Sequence, residues 1–224
     1  MPGRAGATQM IVVGIDLAGP RNTPDTALTC FSGDQRSLNY ATHVLGATDQ
    51  ALFDLVRGLG EAGDVVVGLD APLSYNPGGG DRPGDSTLRE RIVRAGLGFG
   101  WVMAPTMARM VYLTLRGVCV ARALAAIQPR PPRVVEVHPT ASLALRGAPI
   151  EAVRRLKANR DARGHLLEWL AEHGLHGIAR PSADASDEVV AACACAFAAW
   201  KWACDETVWC ERAAPPLHPY DLAC

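Results

Sequence analysis

An α/β fold is the expectation for this chain, with a mixed five-stranded sheet flanked by helices in one domain of 224 residues. Three observations predict it. Two apolar runs, one from Met10 to Asp16 and one from Val65 to Asp70, both end in Val-Gly-(Ile or Leu)-Asp. Short continuous apolar runs of this kind suit strands buried on both faces. The pattern between them reads as two further strands and then a helix, which allows a crossover. Finally, the stretch from Asp184 to Ala203 is almost wholly apolar after Glu188 and is built largely of Ala and Cys, as a helix packed closely on a sheet would be. The length suffices for one such domain with a sizeable core and is short for two.

Taken in order, the elements follow from local chemistry. Residues 1–9 are polar and expected to be a flexible terminus, too unlike a signal peptide to read as one. The first strand ends at Asp16, and Gly19-Pro20-Arg21-Asn22-Thr23-Pro24 is a turn by composition. Thr26–Phe31 and Leu38–Leu45 are the second and third strands, joined by short polar links as in an antiparallel meander. Thr48 is a candidate N-cap for a helix to Gly60, whose apolar residues Leu52, Phe53, Leu55, Val56 and Leu59 recur at helical spacing. A crossover through that helix places the Val65–Asp70 strand beside the first and parallel to it, so that Asp16 and Asp70 emerge at one end. Gly14 and Gly68, two residues earlier, mark close backbone approach.

Residues 71–84 form a long loop at the mouth of this end, expected to be mobile. Its Gly78-Gly79-Gly80 lacks the Gly-Lys-(Ser/Thr) ending of a phosphate loop. An Arg-rich, mainly helical insertion follows over about 82–130, with helices expected from Asp85 to Arg94 and from Pro105 to Ile127. Arg133–His138 is the fifth strand, whose alternation puts Glu136 and His138 on one face. Residues 141–176 are helical by pattern, Arg180-Pro181-Ser182-Ala183 is a break, and the last helix opens at Asp184. The domain is expected to end near residue 205, followed by an irregular Pro-containing tail over 206–224.

Charge and cysteine usage narrow the class. The net charge of −1 hides an asymmetry: residues 82–163 carry fifteen Lys and Arg against five acids, between two acidic blocks. A block of this kind suits phosphate or nucleic acid, or else solvated helix faces paired with the acidic segments. The seven cysteines are odd in number and contain no C-x-x-C pair, which disfavours a disulfide framework or a zinc site and favours small buried thiols. No run of eighteen apolar residues suggests a membrane span, so a cytoplasmic protein is expected.

Asp16, Asp70, Glu136, Asp184 and Asp187 are the acidic positions that stand out. Asp184 and Asp187 are spaced i, i+3, on one helix face. Converging carboxylates repel, and a doubly charged cation relieves that repulsion; hard oxygen donors select Mg²⁺ or Mn²⁺. Two ions about 4 Å apart suit in-line attack of water on a phosphodiester. Each residue also has an ordinary reading: strand-ending turns for Asp16 and Asp70, a surface place for Glu136, an N-cap for Asp184, and a structural role for His138 before Pro139.

Gly14-Ile15-Asp16, Gly68-Leu69-Asp70-Ala71-Pro72-Leu73, the Arg82…Asp85…Leu88-Arg89 segment, Val135-Glu136-Val137-His138-Pro139 and Asp184-Ala185-Ser186-Asp187 together resemble the bacterial family called domain of unknown function 429 (DUF429). The set is also similar to RuvC-type junction resolvases, whose last helix opens with D-x-x-D. The resemblance implies a ribonuclease H-like fold and a metal-dependent nuclease. Asp16, Asp70, Asp184 and Asp187 would be ligands for two Mg²⁺ or Mn²⁺ ions, with Glu136 an accessory ligand or substrate contact. Arg82, Arg89 and His138 would bind substrate, DNA or RNA. The chain departs from the pattern at Glu188, where a small residue is usual and which makes a further candidate ligand, and at Thr140, where an acid is common. Two other readings remain open: a non-catalytic nucleic-acid-binding or interaction module, and an ATPase or phosphotransferase of the actin-like branch. A dimer is compatible with all three.

Overall fold

The computed structural model describes residues 10–178 and 185–224. β1 (Met10–Asp16) buries five consecutive residues, Ile11 to Ile15, so it lies inside the sheet. It pairs antiparallel with β2 (Ala27–Gly33), which pairs antiparallel with β3 (Leu38–Leu45). Helix α1 (Asp49–Ala62) follows, with the Thr48 side chain accepting from the Ala51 amide at 3.2 Å as its N-cap. The crossover brings β4 (Asp64–Asp70) to the free side of β1, parallel and in register, with Gly14 opposite Gly68 and Asp16 opposite Asp70. Helices α2 (Pro83–Arg94) and α3 (Val111–Ala125) come next, and β5 (Arg133–Val137) then adds parallel to β4. Helices α4 (Pro139–Leu145), α5 (Ile150–Arg155) and α6 (Arg160–Glu172) precede the two-residue β6 (Leu175–His176), and α7 (Asp187–Ala203) precedes β7 (Cys210–Glu211) and β8 (Leu222–Ala223).

Among the described residues the sheet is mixed and has eight strands, in the order β6-β3-β2-β1-β4-β5-β8-β7. This corrects the expected five. The five longer strands occupy the expected positions; the three additions are two residues each and extend the edges. The tail expected to be irregular is one source of them. β8 runs parallel to β5, and the Glu136 amide donates to the Asp221 carbonyl at 2.9 Å. Asp221 in turn accepts from the Trp202 indole, Arg212 and the Ala213 amide at 2.7–2.9 Å, which fastens the tail to α7.

Two layers cover the sheet. On one face α7 packs on Val12, Phe31, Val66, Val135 and Val137; on the other, α1 and α3 pack on Ile11, Val13, Ile15, Val67 and Leu69. The α7 layer is unusually close. A Cβ on Gly14 would stand 1.9 Å from the Ala192 carbonyl oxygen, and one on Gly68 would stand 2.4 Å from that of Cys195. The two glycines and the small residues of the helix therefore let backbone approach backbone, as the sequence pattern implied. Cys30, Cys193, Cys195 and Cys224 are buried as expected, whereas Cys119 is exposed. Among the described residues no helix is long and apolar enough to cross a membrane.

Candidate carboxylate cleft

Strand parity decides which acids can meet. Residues 12, 14 and 16 of β1 and 66, 68 and 70 of β4 share a face. Val12 and Val66 belong to the α7-side core, so Asp16 and Asp70 emerge on that side. They are direct neighbours on adjacent parallel strands, which run about 4.8 Å apart. Placed side by side, each carboxyl disfavours ionisation of the other. Burial raises the Asp16 carboxyl well above the ordinary aspartate range, and the charges of Asp70 and Glu188 add to the effect. Burial raises Asp70 as well, while His138 and Lys157 pull it back. Among the described residues no basic side chain forms an ion pair with either.

The pair opens into a cleft of about 690 Å³ whose lining includes Asp16, Asp70, His138, Lys157, Asp187 and Glu188. α7 reaches it with its N-terminus. Ser186, rather than Asp184, is the N-cap, accepting from the Val189 amide at 3.3 Å, so Asp187 and Glu188 stand in the first turn. Acids there are stabilised by the positive end of the helix dipole. Asp184 and the expected break at 180–183 lie outside the described residues, as do residues 1–9.

Glu136 does not join this group. Val134 lies in the core beneath α1 and α3, and strand alternation gives Glu136 the same parity, opposite to that of Asp16 and Asp70; at the strand ends, however, Glu136, Arg82 and Asp85 line a small cavity of about 80 Å³ together with Asp70 and His138. There it is buried and held by three donors: the Leu73 amide at 2.8 Å and the Arg82 guanidinium at 2.8 and 2.5 Å. Arg82 also grips Asp85 at 2.7 Å. Burial opposes the Arg82 charge, but Glu136 and Asp85 override it and raise its pKa further. Arg89 is likewise turned inward, forked onto Asp81 at 2.6 and 2.7 Å and donating to the Val102 carbonyl at 2.9 Å. The expected substrate contacts Arg82 and Arg89 are thus structural clamps, and neither lines the cleft. Arg89 and Asp81, with the Gly80 amide donating to Thr106 at 2.8 Å, also tie down the end of the loop expected to be mobile.

His138 does line the cleft, at the junction of β5 and α4. Its Nδ1 accepts from the Ala141 amide at 3.3 Å as the α4 N-cap, so Nε2 carries the proton and donates to the Trp101 carbonyl at 2.8 Å. Both nitrogens are therefore engaged in holding the cleft wall. Lys157, just beyond α5, is the functional candidate that spacing did not reveal. Its charge acts on both Asp16 and Asp70. The one hint in the sequence is compositional, since Lys157 is one of two lysines in a chain of twenty arginines.

The donor set fits a hard divalent cation, though sparsely. Among the described residues no three His, Cys, Asp or Glu side chains are gathered closely enough to hold one. Asp16 and Asp70 supply two carboxylates with no fixed counter-charge. Mg²⁺ commonly binds through one or two carboxylates and keeps several waters for substrate phosphate to replace.

Comparison with known proteins agrees with this layout only at the level of family. The model of the DUF429 family, described as proteins of unknown function, matches residues 14–215 and so takes in the pair, the clamp and α7. No curated protein and no solved structure matches the chain. The chain belongs to the DUF429 family.

Proposed function

We propose that this member of the family is a metal-dependent nuclease that hydrolyses phosphodiester bonds of DNA or RNA. The observation that carries the reading is the in-register placement of Asp16 and Asp70 on neighbouring parallel strands, with no ion-pair partner for either among the described residues. Asp16 and Asp70 would hold one Mg²⁺ or Mn²⁺ ion, and Asp187, with Asp184 by family resemblance, a second. When bound, such ions lower the pKa of an attacking water and stabilise the leaving oxygen. The residues of the chain do the positioning. The glycine-mediated contact of α7 with β1 and β4 fixes Asp187 and Glu188 opposite the pair, and Lys157 offers a cation to a phosphate beside it. The order β3-β2-β1-β4-β5, antiparallel through the first three and parallel thereafter, supports a ribonuclease H-like reading of the fold.

The test is cleavage of labelled single-stranded, duplex and branched DNA and of RNA, with Mg²⁺, Mn²⁺ or EDTA. Metal-dependent cleavage that is lost in Asp70→Asn and Asp187→Asn supports the proposal. Cleavage that survives either substitution, or none on any substrate with either metal, overturns it.

A further inference from the structure

The carboxylate cleft has a smaller neighbour. A cavity of about 330 Å³ is lined by Gly19, Pro20, Arg21, Asn22 and Tyr112, and it shares Gly19 and Asn22 with the cleft. Tyr112 is 68% exposed, an unusual place for so large an apolar ring in the first turn of a helix. Arg21 is exposed and has no ion-pair partner among the described residues. The cavity therefore combines an uncovered aromatic face, an unpaired guanidinium and an amide side chain.

The surroundings of this cavity are rigidly built. Arg116, one helical turn after Tyr112, is buried beneath the same loop. Its guanidinium donates to the Ala18 carbonyl at 2.6 Å, to Thr26 at 2.9 Å and to Asp49 at 2.7 Å. Gly117 seats α3 against β4's exit, where a Cβ would stand 2.7 Å from that of Ala71. The loop is closed by the Asn22 amide donating to the Gly19 carbonyl at 2.9 Å. Tyr112 and the 19–22 loop are thus fixed relative to each other, and the loop descends directly from Asp16.

We infer that this cavity is a nucleobase subsite. It would hold one unpaired base against Tyr112, with Arg21 and Asn22 at its polar edge and the attached phosphate directed towards Asp16 and Asp70. A flat aromatic beside a cation and an amide is what a base requires: a stacking surface with hydrogen-bonding groups at its rim. A base within a duplex is stacked on both faces and cannot use such a surface, so the subsite selects a single-stranded segment or a nucleotide over a duplex. The inference deepens the proposed phosphodiester chemistry and rests on it for the direction of the phosphate.

The experiment is equilibrium binding in EDTA, where no metal-dependent cleavage occurs, of a fluorescent single-stranded oligonucleotide, an abasic strand of equal length, the corresponding duplex, and a nucleoside monophosphate. The base-bearing single strand is expected to bind about tenfold or more tightly than the abasic strand, in line with the loss seen when a base–aromatic stack is removed. Tyr112→Ala should abolish that difference and Tyr112→Trp should retain it. Monophosphate binding that also depends on Tyr112 would support the subsite and identify a free nucleotide as sufficient. Equal affinity for base-bearing and abasic strands, or a preference that survives Tyr112→Ala, overturns it. Cleavage without base preference would defeat the subsite alone, and base preference without metal-dependent cleavage would defeat the nuclease reading alone.

Discussion

Two acidic clusters stand side by side at the carboxyl ends of the central strands, and Asp70 of one shares a small cavity with Arg82, Asp85 and Glu136 of the other. Glu136 and Asp85 converge on Arg82, and every oxygen of the two carboxylates accepts at least one hydrogen bond. Asp16 and Asp70 meet each other, with no ion-pair partner among the described residues. The first cluster is complete within the fold. In the second, burial and mutual repulsion favour holding a proton, which a cation can displace. Carboxylate convergence alone therefore does not identify a reactive site; the lack of an ion-paired partner is what sets the second cluster apart.

The largest effect should come from breaking the complete cluster. Arg82→Ala leaves Glu136 and Asp85 buried without their guanidinium, which typically costs about 3–5 kcal/mol. Urea denaturation should show that loss, and one well under about 1 kcal/mol would mean the clamp is not structural. Next comes the shared scaffold. Gly14→Ala forces α7 away from β1 and should destabilise by about 1–3 kcal/mol. It should also disturb the open pair, since Asp187 and Glu188 ride on the same helix.

The open pair should respond in the opposite sense. Without metal, Asp70→Asn removes the cost of burying the Asp70 carboxylate and should stabilise by on the order of 1 kcal/mol, read as a higher Tm. Because Asp16 binds its proton more tightly when folded than when unfolded, its contribution is fully present below the ordinary value of 3.8 and is lost as pH rises through its raised native pKa. Metal-free stability should thus fall across that window, and Asp16→Asn should flatten the fall. The smallest effect belongs to exposed Lys157: Lys157→Ala should weaken oligonucleotide binding by less than about tenfold and reduce the salt dependence by about one counterion. An unchanged salt slope would remove Lys157 from the phosphate path.

Much of this comparison was legible before the structure. The repeated Val-Gly-(Ile or Leu)-Asp run specified the paired strands, their glycine contacts and their neighbouring aspartates, because each follows from local periodicity. Thr48 was legible as a cap for the same reason. The clamp was not. Arg82 and Glu136 lie 54 residues apart, and alternation showed that Glu136 and His138 share a parity without saying which side of the sheet it faces. β6, β7 and β8 are two residues long, below any periodic signal. The sequence reads as a helix from Asp184, whereas Ser186 is the N-cap and the helix begins at Asp187.

The most direct measurement of the central claim is calorimetric titration of metal-free protein with Mn²⁺ in buffers of different ionisation enthalpy, which counts protons released on binding. Asp16 and Asp70 as the cation site predict saturable binding with proton release in the wild type, and loss of both in Asp16→Asn and Asp70→Asn while Glu136→Gln, if folded, still binds. Absence of binding in the wild type, or binding with undiminished proton release in the two aspartate variants, would contradict it.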